Sequence, residues 1–190
     1  GLMFAPYPSS HLIAGIGGML GNNASGEKSI RFGATIDNVI SLDVVLANGE
    51  LIHTGPKKVE NIIEKRLVEI YKEHAEHLRH AQGNVKKVAS GYRFDRLMNG
   101  DKIDLTSLFI GTQGTLGIIT KAVLKLVPIP QKTVLYIIPI NSIKELPHIL
   151  KTVLEHNPES VETFDVHTFE RARIHMSDMA VHIERFFTKD

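Results

Sequence analysis

Two glycine-rich stretches, residues 15–26 and residues 111–120, constrain what this 190-residue chain can fold into more than any other feature. Glycine has no Cβ, so it adopts positive φ angles readily and leaves neighbouring amide N–H groups uncovered. A backbone of this kind can lie directly against the phosphates and sugars of a dinucleotide. The two stretches therefore predict a bound cofactor, and tight turns in a β-rich domain are the alternative that they leave open.

The order of the glycines excludes two common nucleotide-binding motifs. Residues 15–18 read Gly-Ile-Gly-Gly and do not continue into the G-x-G-x-x-G pattern that opens a Rossmann helix. No Gly-Lys-Ser/Thr run occurs in the sequence, which excludes a P-loop. The predicted cofactor site is therefore of another kind.

The composition narrows the class of protein. An apolar share of 43% is typical of a globular chain with one substantial core or two small ones. The 22 Lys and Arg residues are balanced by 21 Asp and Glu residues, so no net field draws the chain to nucleic acid or to an anionic membrane. Apolar runs such as residues 134–140 are far shorter than the roughly twenty residues that span a bilayer.

The absence of cysteine excludes disulfides, iron–sulfur ligation by this chain and thiol catalysis. It is compatible with a reducing setting, and we expect a cytoplasmic location. The first six residues lack both a start methionine and a basic signal-peptide region, so we expect an internal piece of a longer protein.

The beginning of the chain predicts loops and one β-hairpin. Residues 1–33 hold no lasting helical period of apolar residues and predict loops joined by short extended pieces. Asn48 and Gly49 separate the β-branched run 39–46 from the apolar residues 51–53. An Asn-Gly dipeptide between two such runs is a strong hairpin signal.

The middle of the chain predicts a long helix and then a second β-rich segment. After Pro56, apolar residues recur at spacings of three and four, which predicts an amphipathic helix that ends near residues 82–84. The β-rich segment begins at residues 105–110, passes through the second glycine stretch and stops at Pro128 and Pro130. The two prolines predict a domain boundary.

Beyond the prolines, the pattern predicts four alternating elements: a strand at 133–140, a helix at 142–155, a strand at 160–166 and a helix at 168–187. This order is typical of half of a split βαβ sandwich. Such a half cannot bury both faces of its sheet alone, so we expect further chain or self-association to cover it.

Several motifs come in an order and at a spacing that resemble one known family. In chain order they are PYPSS at 6–10, GGM and NNASG within 17–26, RFG at 31–33, NVISLDVVLANG at 38–49, SGY at 90–92, DL at 104–105 and GTQGTLGIIT at 111–120. Together they resemble the flavin domain of the vanillyl-alcohol oxidase and p-cresol methylhydroxylase (PCMH) superfamily. The most similar branch is that of the FAD-linked 2-hydroxy-acid dehydrogenases, which includes glycolate oxidase and D-lactate dehydrogenase.

The resemblance implies an α+β fold with two domains. Residues 1–128 would be the later part of a PCMH-type FAD-binding domain, and residues 129–190 would begin a ferredoxin-like substrate or cap domain. The family's opening subdomain and the downstream part of its cap have no counterpart in this sequence.

The resemblance also implies a function for the longer protein. That function is FAD-dependent oxidation of a small 2-hydroxy acid, of the glycolate or D-lactate type, by hydride transfer to the flavin. The isolated chain is expected to be inactive, to bind FAD weakly or not at all, and to self-associate. Two alternatives remain: a non-catalytic subunit or remnant that offers part of a flavin site or a protein-binding surface, and a related flavoenzyme with alkyl-transfer or alcohol-oxidase chemistry.

The resemblance assigns cofactor contacts residue by residue and leaves the catalytic residues unassigned. The first group would line the pyrophosphate, ribityl and flavin side of FAD, and consists of Pro8, Ser9, Ser10, Gly17, Gly18, Asn22, Asn23 and Ser25. The second group would pack along the adenosine and pyrophosphate, and consists of Gly114, Thr115, Gly117, Ile118 and Ile119. Gln113 stands where the family usually has glutamate. The change removes the charge and keeps the shape, so we expect it to be tolerated, with some weakening of a local hydrogen-bond network.

Other polar residues carry weaker hypotheses. His74 and His77 are three residues apart in the predicted helix and could share a weak metal site, but a solvated polar face is the favoured interpretation and no metal is predicted. His11 could contact the flavin or belong to a turn. Arg93 and Arg96 could clamp a substrate carboxylate or form ion pairs within the protein.

Overall fold

A computed structural model describes residues 1–80 and 88–175 of the chain. The chain divides into two compact units, Gly1–Ile129 and Pro130–Asp190. Within the described ranges, no helix is long and apolar enough to cross a membrane. The mixture of helices and strands agrees with the predicted α+β class.

The first unit contains short helices and strands in mixed order. They are β1 (Leu2–Met3), α1 (Ile16–Gly21), α2 (Ser29–Phe32), β2 (Val39–Val45), β3 (Leu51–His53), α3 (Ile62–Glu73), α4 (Ala75–His80), β4 (Met98–Asn99), β5 (Lys102–Ile103), α5 (Thr106–Phe109), β6 (Ile118–Leu124) and β7 (Val127–Pro128). Two 3₁₀ turns, Thr35–Asn38 and Phe94–Arg96, connect them. The second unit contains a 3₁₀ turn at Ile143–Glu145, α6 (Leu146–Glu155) and α7 (Val166–His175).

The central sheet is antiparallel, with β2 between β3 and β6. The β2–β3 hairpin is confirmed, with Val44 opposite Ile52. Gly49 has a φ of 82°, and its amide N–H donates to the Leu46 carbonyl at 2.9 Å. The Asn-Gly signal was sufficient because a hairpin depends on residues close together in the chain.

The core lies against one face of β2. Leu42 and Val44 alternate along the strand and are 1% and 0% exposed. They share an apolar cluster with Leu97, Ile103 and Ile110, which are all fully buried. A strand that buries every second side chain in this way is fixed in register, because a shift of one residue would expose the apolar set.

Residues 105–110 form a helix and not the predicted strand. Helix α5 covers Thr106–Phe109, and the Asp104 carboxylate accepts a hydrogen bond from the Thr106 amide at 2.9 Å. Leu108 and Phe109 are both buried in the core. Apolar residues on all sides look like a buried strand in the sequence, but here they are the sides of one buried helical turn.

Residues 1–33 include two helices, α1 and α2, where only loops and extended pieces were predicted. Helix α1 contains three glycines within six residues, so its local helix propensity is low. Burial of Met19 and Leu20 stabilises it instead. The prediction was wrong because tertiary packing, and not local preference, decides this segment.

The long helix begins later than predicted and is interrupted. Asn61 caps α3 by accepting a hydrogen bond from the Glu64 amide at 2.8 Å, so the helix does not begin directly after Pro56. His74 lies between α3 and α4. The predicted end at residues 82–84 lies outside the described residues.

Glu64 is a buried carboxylate at the start of α3. It is 3% exposed, and its Oε1 lies 2.8 Å from the Lys57 ammonium. Burial raises its pKa, but hydrogen bonds from the Lys57 side chain and from the backbone amide of Glu60, together with the charge of Lys57, outweigh this effect and lower the pKa overall. The same hydrogen bond raises the pKa of Lys57.

In the second unit, helix α6 confirms the helix predicted at 142–155. The strand predicted at 133–140 is absent, and every residue of this segment is exposed. Residues 160–165 are also irregular, and the predicted helix at 168–187 is described only as far as α7, which begins at Val166. A strand requires a hydrogen-bonded neighbour, which β-branched residues alone do not supply.

Candidate functional site

The fold brings the two glycine stretches into contact. The carbonyl of Leu20, near the end of α1, accepts a hydrogen bond from the Gly111 amide at 2.9 Å, and the carbonyl of Gly21 accepts one from the Gln113 amide at 3.0 Å. A hydrogen bond between side chains also joins the two stretches, since the Gln113 Nε2 donates to the Asn22 Oδ1 at 3.1 Å. Gln113 therefore makes a hydrogen bond between the two stretches, at the position where the resemblance predicts glutamate.

A tight turn shapes the second stretch. The Thr115 amide donates to the Thr112 carbonyl at 3.0 Å, and the two residues between them have positive φ angles, 55° at Gln113 and 77° at Gly114. Positive φ at both central positions is the requirement of a type I′ turn. At Gly111, with a φ of 82°, a Cβ would lie 3.3 Å from the Asn23 Cβ. The glycine there allows the two stretches to approach.

Asn23 fixes the first stretch from within. It is 1% exposed and has a φ of 46°. Its Oδ1 accepts a hydrogen bond from the Ile36 amide and its Nδ2 donates to the Val88 carbonyl, each at 3.0 Å. Both groups of the side chain are engaged by backbone, so Asn23 positions the loop and its amide does not face outward.

Gly26 holds the turn at residues 8–10 next to the first stretch. A Cβ at this position would lie 1.8 Å from the Tyr7 carbonyl oxygen, so no other residue fits without movement. The turn itself is closed by the His11 amide, which donates to the Pro8 carbonyl at 3.0 Å. Ser9 and Ser10 are exposed at this turn.

Three of the predicted contact glycines leave open space beside the backbone. A Cβ at Gly17, Gly18 or Gly114 would meet no other atom within 4 Å, and all three residues are exposed. Gly117 differs, because its Cβ would lie 2.7 Å from the Val44 Cγ1 and is excluded by packing against β2. An uncovered backbone with hydroxyl and amide side chains nearby fits a dinucleotide such as FAD.

The remaining predicted residues are two isoleucines of strand β6 and one serine of the first stretch. Ile118 and Ile119 begin β6, where they are paired with Val45 and Val44. Ile118 is 69% exposed, whereas Ile119 packs against the core. Ser25 is half-buried within the first stretch.

The two arginines form ion pairs within the protein. Arg93 is 6% exposed, and its Nε and Nη2 each donate to a different carboxylate oxygen of Asp95 at 3.0 Å. The Arg96 Nη1 donates to the Asp37 Oδ1 at 2.7 Å. The structure thus supports the ion-pair alternative for both residues and not the carboxylate clamp.

The histidines form small aromatic contacts. The rings of His74 and His77 lie edge to face with their centroids 6.4 Å apart, and His11 contacts Tyr7 at 5.1 Å. Within residues 1–80 and 88–175, no group of three or more His, Cys, Asp or Glu side chains could hold a metal ion.

Sequence reasoning gave no site role to residues 88–92, although their SGY motif supported the resemblance. In the structure, this segment touches both glycine stretches, through the Val88 carbonyl and through the Tyr92 hydroxyl, which lies 3.0 Å from the Thr115 Oγ1. The motif was the only local signal, because the contacts join residues far apart in the chain.

Comparison with known proteins gives a consistent result. Residues 1–55 match the family described as FAD binding domain, which indicates FAD binding by this region. Glycolate oxidase subunit GlcD of Bacillus subtilis is 38% identical over 131 residues, which cover 69% of this chain and 20% of the relative. D-2-hydroxyglutarate dehydrogenase of Pseudomonas putida is 29% identical over an alignment of 205 positions, which covers 100% of this chain and 20% of the relative.

A third relative is the probable mitochondrial D-lactate dehydrogenase of Danio rerio, which is 34% identical over 134 residues, 70% of this chain and 20% of its own length. The chain therefore spans about a fifth of each of these relatives. All three are named for 2-hydroxy acids, which differ in size and charge.

Proposed function

We propose that this chain, which fits the PCMH-type family of FAD-linked oxidases over part of their length, supplies part of the FAD site of an oxidoreductase that acts on a small 2-hydroxy acid. The contact between the two glycine stretches carries the proposal, because it joins the end of helix α1 to the turn that contains Gly114. Gly17, Gly18 and Gly114 each leave open space beside their backbone, which supports close approach of a cofactor. The names of the relatives support glycolate, D-lactate or D-2-hydroxyglutarate as the substrate. A cytoplasmic location is part of the same proposal.

The chain's own residues would bind and orient the cofactor. The hydroxyl groups of Ser9 and Ser10 are exposed and would donate hydrogen bonds to phosphate or ribityl oxygens. When bound, FAD supplies a flavin that accepts a hydride from the substrate's α-carbon. We assign no catalytic residue. Arg93 and Arg96, the two candidates for a clamp on the substrate carboxylate, are engaged in ion pairs with Asp95 and Asp37.

Anaerobic reduction of the flavin tests the proposed chemistry in the longer protein that contains this chain. Glycolate, D-lactate or D-2-hydroxyglutarate is expected to bleach the flavin absorbance, and L-lactate is the matched control for stereochemistry. If no hydroxy acid bleaches a flavin that dithionite does reduce, the 2-hydroxy-acid proposal is wrong. A non-catalytic role would then be favoured if the protein still binds FAD.

Titration of the 190-residue chain with FAD tests the binding part of the proposal. Flavin fluorescence is expected to change saturably with weak affinity, since the chain spans about a fifth of its relatives. No saturable change at millimolar FAD would contradict a cofactor-binding role for this surface.

A further inference from the structure

Residues 88–92 bridge the two glycine stretches. At one end of the segment, the Val88 carbonyl accepts a hydrogen bond from the Asn23 Nδ2 at 3.0 Å. At the other end, the Tyr92 hydroxyl lies 3.0 Å from the Thr115 Oγ1. A segment of five residues that is tied to both stretches must lie beside the surface that they form together.

The direction of the second hydrogen bond follows from its neighbours. The Thr115 Oγ1 donates its one hydrogen to the Thr112 carbonyl at 2.7 Å. A hydroxyl has one donor hydrogen and two acceptor lone pairs, so the Tyr92 hydroxyl must be the donor to Thr115. The Tyr92 ring is thus fixed through its hydroxyl by Thr115, which follows Gly114 in the turn.

Like the glycine stretches, residues 88–92 contain an exposed glycine with open space beside its backbone. Gly91 is exposed, has a φ of 70° and would place a Cβ in open space. The side chain of Tyr92 is 52% exposed although its hydroxyl is bonded. Within the described residues of Gly1–Ile129, no other tyrosine or phenylalanine has an exposed side chain.

We propose that residues 88–92 form a third side of the FAD site, and that the ring of Tyr92 contacts the cofactor. The inference rests on the proposed function. FAD presents two flat aromatic systems, and a tyrosine ring offers a face for either of them. A ring held through its hydroxyl loses little further freedom on binding, which favours the contact.

Tyrosine ring signals in NMR test this contact even when binding is weak. The chain has four tyrosines, so ¹³C-labelled tyrosine gives few signals, and the signal of Tyr92 is identified by its loss in Tyr92→Phe. During FAD titration, the Tyr92 signal is expected to shift saturably, with the same midpoint as the amide signals of Gly17 and Gly114. The signal of Tyr136, an exposed tyrosine of the other unit, serves as the control and is expected to stay fixed.

Variants separate the ring from its hydroxyl. Tyr92→Leu removes the aromatic face and is expected to weaken FAD binding by about fivefold to tenfold. Tyr92→Phe and Thr115→Val keep the ring but remove the hydrogen bond, and each is expected to weaken binding by about threefold. Tyr136→Leu is the matched control, with no change expected.

Two results would overturn the inference in different ways. If the glycine amides shift with FAD while the Tyr92 ring signal stays fixed, the third side is wrong and the proposed FAD site stands. If no signal of the chain shifts saturably, the proposed cofactor surface fails and this inference fails with it. The wild-type titration decides between them. The Tyr92→Phe variant serves there only to identify one tyrosine signal, so the FAD affinities of the variants do not affect this outcome.

Discussion

Replacing Gly17 and Gly18 by alanine separates the stability of helix α1 from its proposed role. An alanine Cβ at either site meets no other atom within 4 Å, and neither glycine has a positive φ. Alanine is more favourable than glycine in a helix by about 1 kcal/mol per site. We therefore expect the double variant to raise the free energy of unfolding by about 1–2 kcal/mol, a rise in Tm of roughly 4 °C for a chain of this size.

The same methyl groups occupy the space that we propose for the cofactor. They would hold FAD away from the backbone and remove contacts that decay steeply with distance, so we expect its affinity to fall about tenfold or more. Urea unfolding and FAD titration of the same variant measure both effects. A gain in stability together with a loss of affinity is the expected pair of results.

Thr152→Ala in helix α6 is the control, because it replaces an exposed residue in a helix of the other unit. It is expected to raise stability by about 0.5 kcal/mol with no change in FAD affinity. If the glycine double variant is more stable and binds FAD as tightly as the wild type, the open space beside Gly17 and Gly18 does not belong to the cofactor. If it is less stable, our description of α1 is wrong.

Three further predictions concern packing, charge and self-association. In Gly26→Ala, the new Cβ would lie 1.8 Å from the Tyr7 carbonyl oxygen, so we expect the free energy of unfolding to fall by more than about 2 kcal/mol. Urea unfolding measures this change, and an unchanged free energy of unfolding would contradict the close approach. The fold lowers the pKa of Glu64 from its ordinary value of 4.5, so the ionised carboxylate stabilises the fold above that pH and this stabilisation is lost as the pH falls below it. Glu64→Gln is therefore expected to lower the free energy of unfolding by about 1–2 kcal/mol at neutral pH. Urea unfolding at several pH values is also expected to show a weaker loss of stability in acid for this variant than for the wild type. The exposed apolar run 134–140 is expected to drive self-association, so Leu135→Lys should shift the chain toward monomer in sedimentation velocity, and an unchanged distribution would assign association to another surface.

The parts of the fold that depend on near neighbours in the chain could be predicted from the sequence. The Asn48-Gly49 hairpin and helix α6 are of this kind, since a turn dipeptide and a helical period determine them locally. Helix α1 was missed because its three glycines oppose a helix, and only the burial of Met19 and Leu20 explains it. The strand predicted at 133–140 failed for the opposite reason, since local preference without a hydrogen-bonded neighbour does not make a sheet.

The candidate site shows the same division. Glycine content identified the two stretches, and positive φ at Gly111 and Gly114 agrees with that reasoning. The sequence did not reveal that the Asn23 amide is engaged by backbone, because its two partners lie 13 and 65 positions away. The position of Tyr92 beside Thr115 was hidden for the same reason.

The hydrogen bond between Gln113 and Asn22 joins residues 91 positions apart. A contact at such separation requires the closure of a long loop of intervening chain, so the unfolded chain does not hold the surface that this contact builds. A ligand that binds this surface has no binding site in the unfolded chain, so it stabilises the native state by RT ln(1 + [L]/Kd), where [L] is the free ligand concentration. FAD that binds this surface is therefore expected to raise the free energy of unfolding of the chain, and to raise it further as the FAD concentration increases.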